Sequence, residues 1–535
     1  MSATDWWQRG IIYHVYPRSF QDSNADGVGD LGGIRRRLDY LGWLGIDALW
    51  ISPIYPSPMA DFGYDVSDYC DIDPLFGTLA EFDALVTAVK ARGLKLVLDL
   101  VPNHTSDRHP WFVESRTSRH NSKRNWYIWR DPGPGGGAPN NWLSNFGGSA
   151  WEFDPATGQY YYHAFLKEQP DLNWRNREVR DAIYDVMRFW LERGVDGFRV
   201  DVIWHLMKDA WFRDNPPNPS YQQGRPEIER LLQLHSADQP EVHGVIAEMR
   251  RLIERYPGRV LIGEIYLPLD RLVRYYGEDL SGAHLPFNFQ LIQAGWNTRT
   301  LASMIREYEA ALPKGGWPNW VLGNHDQHRV ATRIGPQQAR VAAMLLLTLR
   351  GTPTLYYGDE IGMEDVPIPT GSARDPWQLR EPGLGVGRDP QRTPMQWDDS
   401  ANAGFTTGIP WLPLSSNYAK CNVEKLAASE GSILRLYRDL IDLRHRFPAL
   451  STGGFRLLTE GGDILAYERF DENECFEVYL NLSREVQRLD EKVSSRAPRE
   501  KRTLMLSTHG RGESDFHAPV RSLEGGEGVI YKMRR

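Results

Sequence analysis

Several apolar stretches of this chain end in side chains that can carry acid–base or nucleophilic chemistry. They are Asn103-His104, the Arg199/Asp201 pair, Glu264, and Asn324-His325-Asp326. For one NH or NHD motif alone, a buried polar group satisfied by hydrogen bonds is the simpler interpretation. Because all of these groups follow predicted strands, we expect them to meet at one end of a sheet.

The stretch GVDGFRVDV, residues 194–202, carries the most specific pattern. Arg199 and Asp201 alternate with Phe198, Val200 and Val202, which is the two-residue period of a β-strand. An exposed sheet edge with a surface ion pair is one interpretation. The other is a barrel strand whose carboxyl end carries an active-site carboxylate beside a guanidinium.

Two facing carboxylates with a third nearby and an arginine indicate glycoside chemistry. A retaining mechanism needs a carboxylate nucleophile and a protonated acid roughly 5–5.5 Å apart. Arg199 would keep Asp201 ionised by its charge. Glu264 follows Val260, Leu261 and Ile262, so we expect drier surroundings and a raised pKa, as a proton donor requires.

Strand-like and helix-like stretches alternate along most of the chain. Predicted strands cover 10–20, 47–55, 94–104, 194–202, 259–265, 285–291, 319–326 and 351–360, and predicted helices cover 31–45, 79–93, 177–194, 241–256, 338–351 and 433–450. About eight strand–helix units predict an α/β fold, a (β/α)8 TIM barrel. A doubly wound sheet is the main alternative, but no GxGxxG follows the first strand.

Two long excursions and a change of pattern divide the chain. Residues 105–170 are rich in Trp, Asn, Pro and Gly and predict a subdomain inserted after strand three, and a second Pro/Gly-rich stretch runs from 361 to about 430. From 452 short strands predict a C-terminal antiparallel β domain. We therefore assign 1–104 and 171–451 to the catalytic barrel, 105–170 to the inserted subdomain and 452–535 to a β-sandwich domain.

Composition limits the class of partner. The 535 residues carry a formal net charge of −8 and 12% aromatic residues, which suits a site that stacks on sugar rings and argues against nucleic acid or an anionic membrane. Three cysteines without a CxxC pair, and no signal-peptide pattern, predict a cytoplasmic protein. Monomer and homodimer both stay open.

A series of motifs resembles one enzyme family. The stretches YPRSFQDSNADGVGDLGG, DFGYDV, VPNHTS, QPDLNW, GVDGFRVDV, LIGEIYLP, VLGNHD, TPTLYYGDEIGM and RTPMQW are similar to the α-amylase family of retaining glycoside hydrolases. They resemble in particular its exo-acting α-glucosidase and oligo-1,6-glucosidase branch. The resemblance spans residues 10–397 and fades in the last eighty or so, where 484–525 follow no recognised pattern.

The resemblance implies roles for individual residues. Asp201 would be the nucleophile, Glu264 the general acid/base and Asp326 the third carboxylate, with Arg199, His104 and His325 lining subsite −1. Tyr64 would stack under the sugar. Asp61 and Arg392 would pair and close the pocket behind the non-reducing end, which implies exo-action; the alternative is an ordinary interdomain salt bridge. Phe146 and Phe165 would wall the pocket or form the subdomain's own small core.

A second motif, DSNADGVGD, lies apart from these residues. Asp22, Asn24, Asp26 and Asp30, with the carbonyl of Val28, have the spacing of the first nine positions of an EF-hand loop, but Gly33 replaces the final glutamate. The resemblance implies a structural Ca²⁺ or Mg²⁺ here and no organic cofactor. A metal-free Asx-rich turn is the alternative.

These patterns predict a retaining exo-α-glucosidase acting on isomaltose-type substrates, maltose, sucrose or trehalose. In the family that the chain resembles, Val after the nucleophile goes with α-1,6 bonds and Ala or Thr with α-1,4 bonds; here it is Val202. A transglucosylase or a sucrose/trehalose isomerase on the same scaffold is the main rival. A non-catalytic relative would lack a carboxylate or carry a membrane helix.

Overall fold

A computed structural model describes residues 5–369, 371–459, 461–489, 502–510 and 521–533. Its strands are β1 (Ile12–Val15), β2 (Ala48–Ile51), β3 (Lys95–Leu100), β4 (Trp129–Arg130), β5 (Trp151–Asp154), β6 (Gln159–Tyr162), β7 (Gly197–Val200), β8 (Val260–Ile265), β9 (Leu285–Asn288), β10 (Asn319–Val321), β11 (Thr352–Tyr356), β12 (Gly454–Leu457), β13 (Ile464–Phe470), β14 (Cys475–Asn481), β15 (Gln487–Arg488), β16 (Arg502–Ser507), β17 (Ser522–Leu523) and β18 (Gly528–Met533).

The helices of the same residues follow these strands. They are α1 (Trp6–Arg9), α2 (Pro17–Phe20), α3 (Leu31–Arg36), α4 (Leu38–Leu44), α5 (Leu79–Ala91), α6 (Pro110–Ser115), α7 (Arg177–Glu192), α8 (Val242–Ile253), α9 (Leu269–Leu272), α10 (Gln290–Gln293), α11 (Thr298–Ala311), α12 (Val330–Ile334), α13 (Pro336–Thr348), α14 (Pro376–Arg380), α15 (Val423–Ala428), α16 (Ile433–Arg446) and α17 (Pro448–Ser451).

Eight parallel strands form the predicted barrel. They pair in the order β10-β11-β1-β2-β3-β7-β8-β9. Between the two end strands, the Asn319 side chain replaces a backbone ladder: its Oδ1 accepts the N–H of Asn288 at 2.9 Å, and its Nδ2 donates to the carbonyl of Pro286. The TIM-barrel prediction is confirmed, and all eight predicted strand regions contribute to it.

The sequence of helix α7 explains where this helix begins, which face it buries and how the chain turns into strand β7. The side chain of Asn176 accepts the N–H of Glu178 and caps the helix, which satisfies one of its free backbone donors. The predicted apolar face is buried against the sheet and includes Val179, Ile183, Val186 and Trp190. Gly194 follows at φ +99°, a conformation that favours glycine and lets the chain reverse into β7.

The alternation in β7 separates the core from the site. Phe198 and Val200 point outward into the large apolar core between sheet and helices. Arg199 lies in register with Asp99 of β3, and its guanidinium stands 5.0 Å from the ring centroid of Trp50 inside the barrel. Burial of the polar face at the barrel interior excludes the exposed-edge interpretation.

One predicted helix is two helices. The stretch 31–45 is interrupted at Arg37, whose φ of −98° and ψ of 5° leave the helical region, so α3 and α4 are separate. Gly45, at φ +93°, ends the second helix in the left-handed conformation.

The residues assigned to the inserted subdomain contain a three-stranded antiparallel sheet. Its order is β4-β6-β5, and one face packs on a small cluster that includes Trp142, Trp151 and Tyr162. Isolated bridges join His104 to Asp171 and Tyr127 to Leu172, so both ends of the insertion are tied to the end of β3. The exact domain boundaries stay a prediction.

The C-terminal region is antiparallel, as predicted. Five strands pair in the order β12-β13-β14-β18-β16, and β15 pairs with β17 in a separate ribbon. Leu489 and Leu523 of the ribbon segments pack with Tyr479 and Val529 on one face of the larger sheet. Much of the unassigned stretch 484–525 lies outside the described residues. Within the described residues, no helix is long and apolar enough to span a bilayer.

Candidate active site

A pocket of about 310 Å³ opens at the carboxyl ends of the barrel strands. It is lined by Asp61, Tyr64, His104, Asn145, Phe146, Phe165, Gln169, Asp201, Val202, Trp204, His205, Ile228, Glu264, Tyr266, Gln293, His325, Asp326, Gln327, Trp377 and Arg388. All three predicted catalytic carboxylates are among these residues. The volume lies at the small end of the range for ligand pockets, so it suits a small substrate.

Arg199 joins the carboxylates at the base of the pocket. Its Nη1 lies 2.8 Å from both Asp99 Oδ1 and Asp201 Oδ1, and its Nη2 lies 2.8 Å from Glu264 Oε2. Because adjacent nitrogens of one guanidinium hold Asp201 and Glu264, the two carboxyl groups must be close. This geometry favours the separation of roughly 5–5.5 Å found in retaining glycosidases over the roughly 6.5–9.5 Å of inverting ones.

The pKa of Asp201 shifts in the direction opposite to the one expected from Arg199 alone. Burial raises the pKa of Asp201 most, and the charge of Glu264 raises it further; Arg199 lowers it but does not compensate. Arg199 therefore favours the ionised form of Asp201, as expected from its charge, but burial and Glu264 outweigh it.

Val202 adopts a backbone conformation that β-branched residues rarely reach. Its φ is +35° and its ψ is 45°, in the left-handed region. This turn directs its N–H to Glu264 Oε2 at 2.8 Å, and the side chain lines the pocket. The same residue therefore positions Glu264 through its backbone and shapes the cavity through its side chain.

Asp326 is surrounded by two arginines and the imidazole of His325. Arg392 Nη2 lies 2.8 Å and Arg388 Nη1 3.2 Å from its Oδ1, and His325 Nε2 lies 3.5 Å from its Oδ2. Burial raises the pKa of Asp326, but His325 and the arginines outweigh burial and bring it below its ordinary value. The pKa of Asp326 is thus lowered, whereas that of Asp201 is raised.

Asp61 pairs with Arg388, so the prediction that it pairs with Arg392 is wrong. Arg388 Nη2 lies 2.6 Å from Asp61 Oδ1. Asp375 accepts both Nε and Nη2 of Arg388 through Oδ1, at 2.8 and 2.7 Å, which directs the fork to Asp61. Arg392 instead donates its Nε to the carbonyl of His325 at 2.8 Å, which directs it to Asp326.

Tyr64 and the two predicted imidazoles line one side of the pocket. The rings of Tyr64 and His325 are parallel, with centroids 5.3 Å apart. The Tyr64 hydroxyl donates to Asp99 Oδ2 at 3.0 Å, and the Tyr64 carbonyl lies 3.0 Å from Nε2 of His104. These bonds fix the ring orientations before a substrate enters.

Phe146 and Phe165 both line the pocket, as predicted. Their ring centroids are 5.7 Å apart, and Phe146 also stacks on Trp377 at 5.6 Å. The Arg388 guanidinium lies 4.9 Å from the centre of the Phe146 ring. Phe165 additionally packs against the subdomain cluster, so the two alternatives for it are compatible.

Sequence reasoning missed three groups in this site. Asp99 was counted only as part of an apolar strand, although its carboxylate binds Arg199. Gln169 and Arg388 lie inside or just before motifs that the sequence already indicated, QPDLNW and RTPMQW. The motifs marked the correct segments, but only the packing of the loops shows which side chain reaches the pocket.

The loop of residues 22–30 is closed by its own hydrogen bonds. Asp22 Oδ1 accepts the N–H groups of Asn24 and Ala25, and its Oδ2 accepts the N–H of Gly27. Asp30 accepts the N–H of Gly33 and caps α3. Asp26 Oδ1 accepts the N–H of Val28 at 2.8 Å.

Within the described residues, no three His, Cys, Asp or Glu side chains converge in a group that could hold a metal ion. The arrangement of this loop therefore does not by itself form a cation cage, and the Ca²⁺ or Mg²⁺ ion stays a prediction.

A family model for the α-amylase catalytic domain matches residues 14–453. The chain belongs to the α-amylase family. The match covers the barrel, the inserted residues and the pocket, and it confirms the family predicted from the motifs. Membership identifies the chain as a glycoside hydrolase of this family.

Relatives within the α-amylase family lie in the predicted branch. The chain is 41% identical to an oligo-1,6-glucosidase of Heyndrickxia coagulans, covering 99% of this chain and 100% of that one. It superimposes on the crystal structure of the α-glucosyl transfer enzyme XgtA with a TM-score of 0.92 and 38% identity, covering 99% and 100% of the two chains. For the trehalulose synthase MutB of Pseudomonas mesoacidophila MX-45 the TM-score is 0.90 and the identity 35%, with the same coverage.

Proposed function

We propose that this enzyme is a retaining exo-α-glucosidase. It releases α-glucose from the non-reducing end of short α-glucosides, namely isomaltose and isomalto-oligosaccharides, maltose, sucrose or trehalose, by double displacement. The relatives in the oligo-1,6-glucosidase branch support the substrate class. The Asp61–Arg388 ion pair closes the inner end of the pocket, which we call its floor, and supports exo-action.

The proposed roles follow the contacts of each carboxylate. Asp201 attacks the anomeric carbon and forms a glycosyl-enzyme. Glu264 donates its proton to the leaving oxygen and then takes a proton from water. Because Val202 N–H and Arg199 both bind Glu264 Oε2, they leave its Oε1 as the oxygen to carry that proton.

Asp326 and its cations bind the glucosyl unit. An ionised Asp326 accepts hydrogen bonds from sugar hydroxyls and stabilises the positive charge that develops in the oxocarbenium-like transition state. Neutral His104 and His325 offer N–H donors without acting as bases, because burial lowers the pKa of both.

One observation carries the exo-assignment: the ion pair between Asp61 and Arg388. Both side chains are almost fully buried, with 5% and 7% of their side-chain surface exposed. A polymer cannot continue through this blocked end. A glucosyl residue with free hydroxyls can bind there, since a carboxylate and a guanidinium offer both acceptors and donors.

Initial rates on maltose, isomaltose, sucrose, trehalose and nitrophenyl α-glucoside test the proposal, with the anomer of released glucose followed by proton NMR. We expect α-glucose as the first product and rates on these substrates well above those on soluble starch. First release of β-glucose would contradict retention. Efficient internal cleavage of starch would contradict exo-action.

Glucosyl transfer is the second candidate function. The two structural neighbours named above, a glucosyl transfer enzyme and a trehalulose synthase, cover nearly the whole chain. The pocket lining also includes the apolar side chains of Trp204, Ile228 and Trp377. A second sugar can pack against them and attack the glycosyl-enzyme instead of water. Product analysis on concentrated sucrose and maltose separates the two, because transfer yields isomers or trisaccharides with little free glucose.

A further inference from the structure

His104 is surrounded by groups that dictate where its proton sits. Its Nδ1 lies 3.1 Å from Asn103 Nδ2, and its Nε2 lies 3.0 Å from the carbonyl of Tyr64. An amide nitrogen has only hydrogens to offer, and a carbonyl has only lone pairs. Nδ1 must therefore accept, and Nε2 must donate.

This conclusion depends on the orientation of the Asn103 amide, which two charged residues determine. Lys208 Nζ donates to Asn103 Oδ1 at 2.8 Å, and Asn103 Nδ2 donates to Asp171 Oδ1 at 3.0 Å. Lys208 and Asp171 also pair directly, Nζ to Oδ1, at 2.5 Å. All three side chains are buried.

Reversing the Asn103 amide would create two conflicts. Its Nδ2 would face the ammonium of Lys208, donor against donor, and its Oδ1 would face the carboxylate of Asp171, acceptor against acceptor. Lys208 and Asp171 would keep their ion pair, but each conflict would replace a hydrogen bond with two like groups, at a cost of about 1–3 kcal/mol. The second hydrogen of Nδ2 is thus committed to Nδ1 of His104.

The Nε2 of Gln169 lies 3.2 Å from Nε2 of His104, a contact that would be a hydrogen bond only if the histidine nitrogen accepted. Oε1 of Gln169 accepts the N–H of Leu166 at 3.0 Å, which fixes its amide. The two hydrogens of its Nε2 have acceptors in Asp61 Oδ2 at 3.3 Å and the carbonyl of Tyr64 at 3.2 Å. Nε2 of His104 is therefore not needed as an acceptor by Gln169.

We propose that Lys208 and Asp171, acting through Asn103, are positioning residues that hold His104 as its neutral Nε2–H tautomer. The ring then carries no charge, and its permanent Nε2–H donates to the Tyr64 carbonyl, so a glucosyl hydroxyl must share or divert this donor. That this N–H serves a glucosyl hydroxyl rests on the proposed function; the tautomer itself does not.

The other groups near His104 agree with a neutral ring. Burial is the largest influence and lowers the pKa of His104 to about 4, against the raising effect of Asp171. Burial, and after it Lys208 and His104, lower the pKa of the neighbouring His205. Asp61 reaches His104 through Gln169, and the Phe165 ring lies 5.3 Å away.

The first test measures the tautomer in the unchanged protein. Nitrogen-15 NMR of protein labelled in histidine distinguishes the two neutral tautomers and the cation, and a His104→Gln variant assigns the signal. We expect a protonated Nε2 and an unprotonated Nδ1 from pH 6 to pH 9. An Nδ1–H tautomer, or a cation at pH 7, would overturn the proposal.

The second test replaces Asn103 by a residue that can only accept. In Asn103→Asp the introduced carboxylate accepts from both Lys208 and Nδ1–H of His104, and it raises the pKa of the ring. Above that pKa the neutral ring keeps its proton on Nδ1 and loses the Nε2–H donor; below it, the cation carries both protons. The ratio of kcat/KM between variant and wild type should therefore fall at least tenfold as the pH rises from 5 to 9.

Asn176→Asp is the matched control, because its carboxylate can still cap α7, and its ratio to wild type should be flat with pH. If the ratio of kcat/KM for Asn103→Asp to wild type does not change with pH, the proposal that Asn103 determines the tautomer of His104 is contradicted. If that variant does not fold, the NMR result on wild type still decides. Wild type without glucosidase activity would refute the proposed function, whereas an active enzyme with the other tautomer would refute this inference alone.

Discussion

The floor and the rim of the pocket differ in charge and in exposure. At the floor, Asp61 and Arg388 form a buried ion pair that continues to Asp326. At the rim, which we define as Trp204, Ile228, Gln293, Gln327 and Trp377, the side chains carry no formal charge and are at least partly exposed.

This difference separates two tasks. Buried charges and fixed hydrogen bonds orient one sugar precisely but tolerate little change, since each lost partner leaves an uncompensated charge. A neutral rim of tryptophan and amide groups accepts several ring orientations. The floor therefore determines that a terminal glucosyl unit is held, and the rim and Val202 determine what it is attached to.

The largest effect is expected at the base of the pocket. Asp201→Asn should reduce kcat/KM on nitrophenyl α-glucoside by about 10⁴-fold or more, because the amide cannot attack the anomeric carbon. Steady-state kinetics and a melting curve measure this. Asp181→Asn, on the exposed surface of α7, should leave kcat/KM unchanged. Activity of Asp201→Asn within tenfold of wild type would contradict its role as nucleophile.

The second largest effect is expected when the ion pair of the floor is broken at Arg388. Arg388→Met should lower kcat/KM by roughly 100-fold or more, because removing one partner of a buried pair costs about 3 kcal/mol or more. A double-mutant cycle with Asp61→Asn should give a coupling free energy of about 1.5 kcal/mol or more. The parallel cycle with Arg392→Met should couple more weakly to Asp61. Equal coupling in both cycles would contradict the pairing described here.

The boundary between floor and rim lies at Val202. Val202→Thr should shift the ratio of kcat/KM for maltose to that for isomaltose upward by about 10- to 200-fold, the range for a difference of one small group. Rates on both disaccharides measure it, and Val202→Ile is the size control. An unchanged ratio would remove Val202 from linkage selection.

The pH dependence of kcat/KM should follow the ionisation of Asp201 and not that of Asp326. The pKa of Asp201 is raised by burial and by Glu264, whereas that of Asp326 is lowered. As the pH falls, Asp201 is therefore protonated first, and kcat/KM declines on an acid limb whose midpoint lies above the ordinary aspartate value of about 3.9. A midpoint at or below that value would contradict this order of protonation.

The smallest effect is expected far from the pocket. If the loop of residues 22–30 binds Ca²⁺, adding calcium after chelation should raise the melting temperature by about 1–3 °C and leave kcat/KM unchanged. Asp26→Ala should abolish the shift. Identical melting curves in calcium and in chelator would favour the metal-free turn that its internal hydrogen bonds already close.

Much of the fold was predictable because its signals are local. The alternation of Phe198 and Val200, together with seven other apolar stretches, predicted a strand at each position and helices between them. The motifs around Asp201, Glu264 and Asp326 placed all three carboxylates in one pocket. The break at Arg37 was not predictable, because apolar residues on both sides of it continue the helical pattern.

The sequence by itself determined which reacting groups the chain carries and that they lie at strand ends, since side-chain period and chain order are local properties. Only the tertiary structure decided that Arg388, and not Arg392, pairs with Asp61, because both arginines leave the same turn and a distant carboxylate, Asp375, directs one of them. It likewise decided the direction in which the pKa of Asp201 shifts, since burial and the approach of Glu264 arise only when β7 and β8 pair.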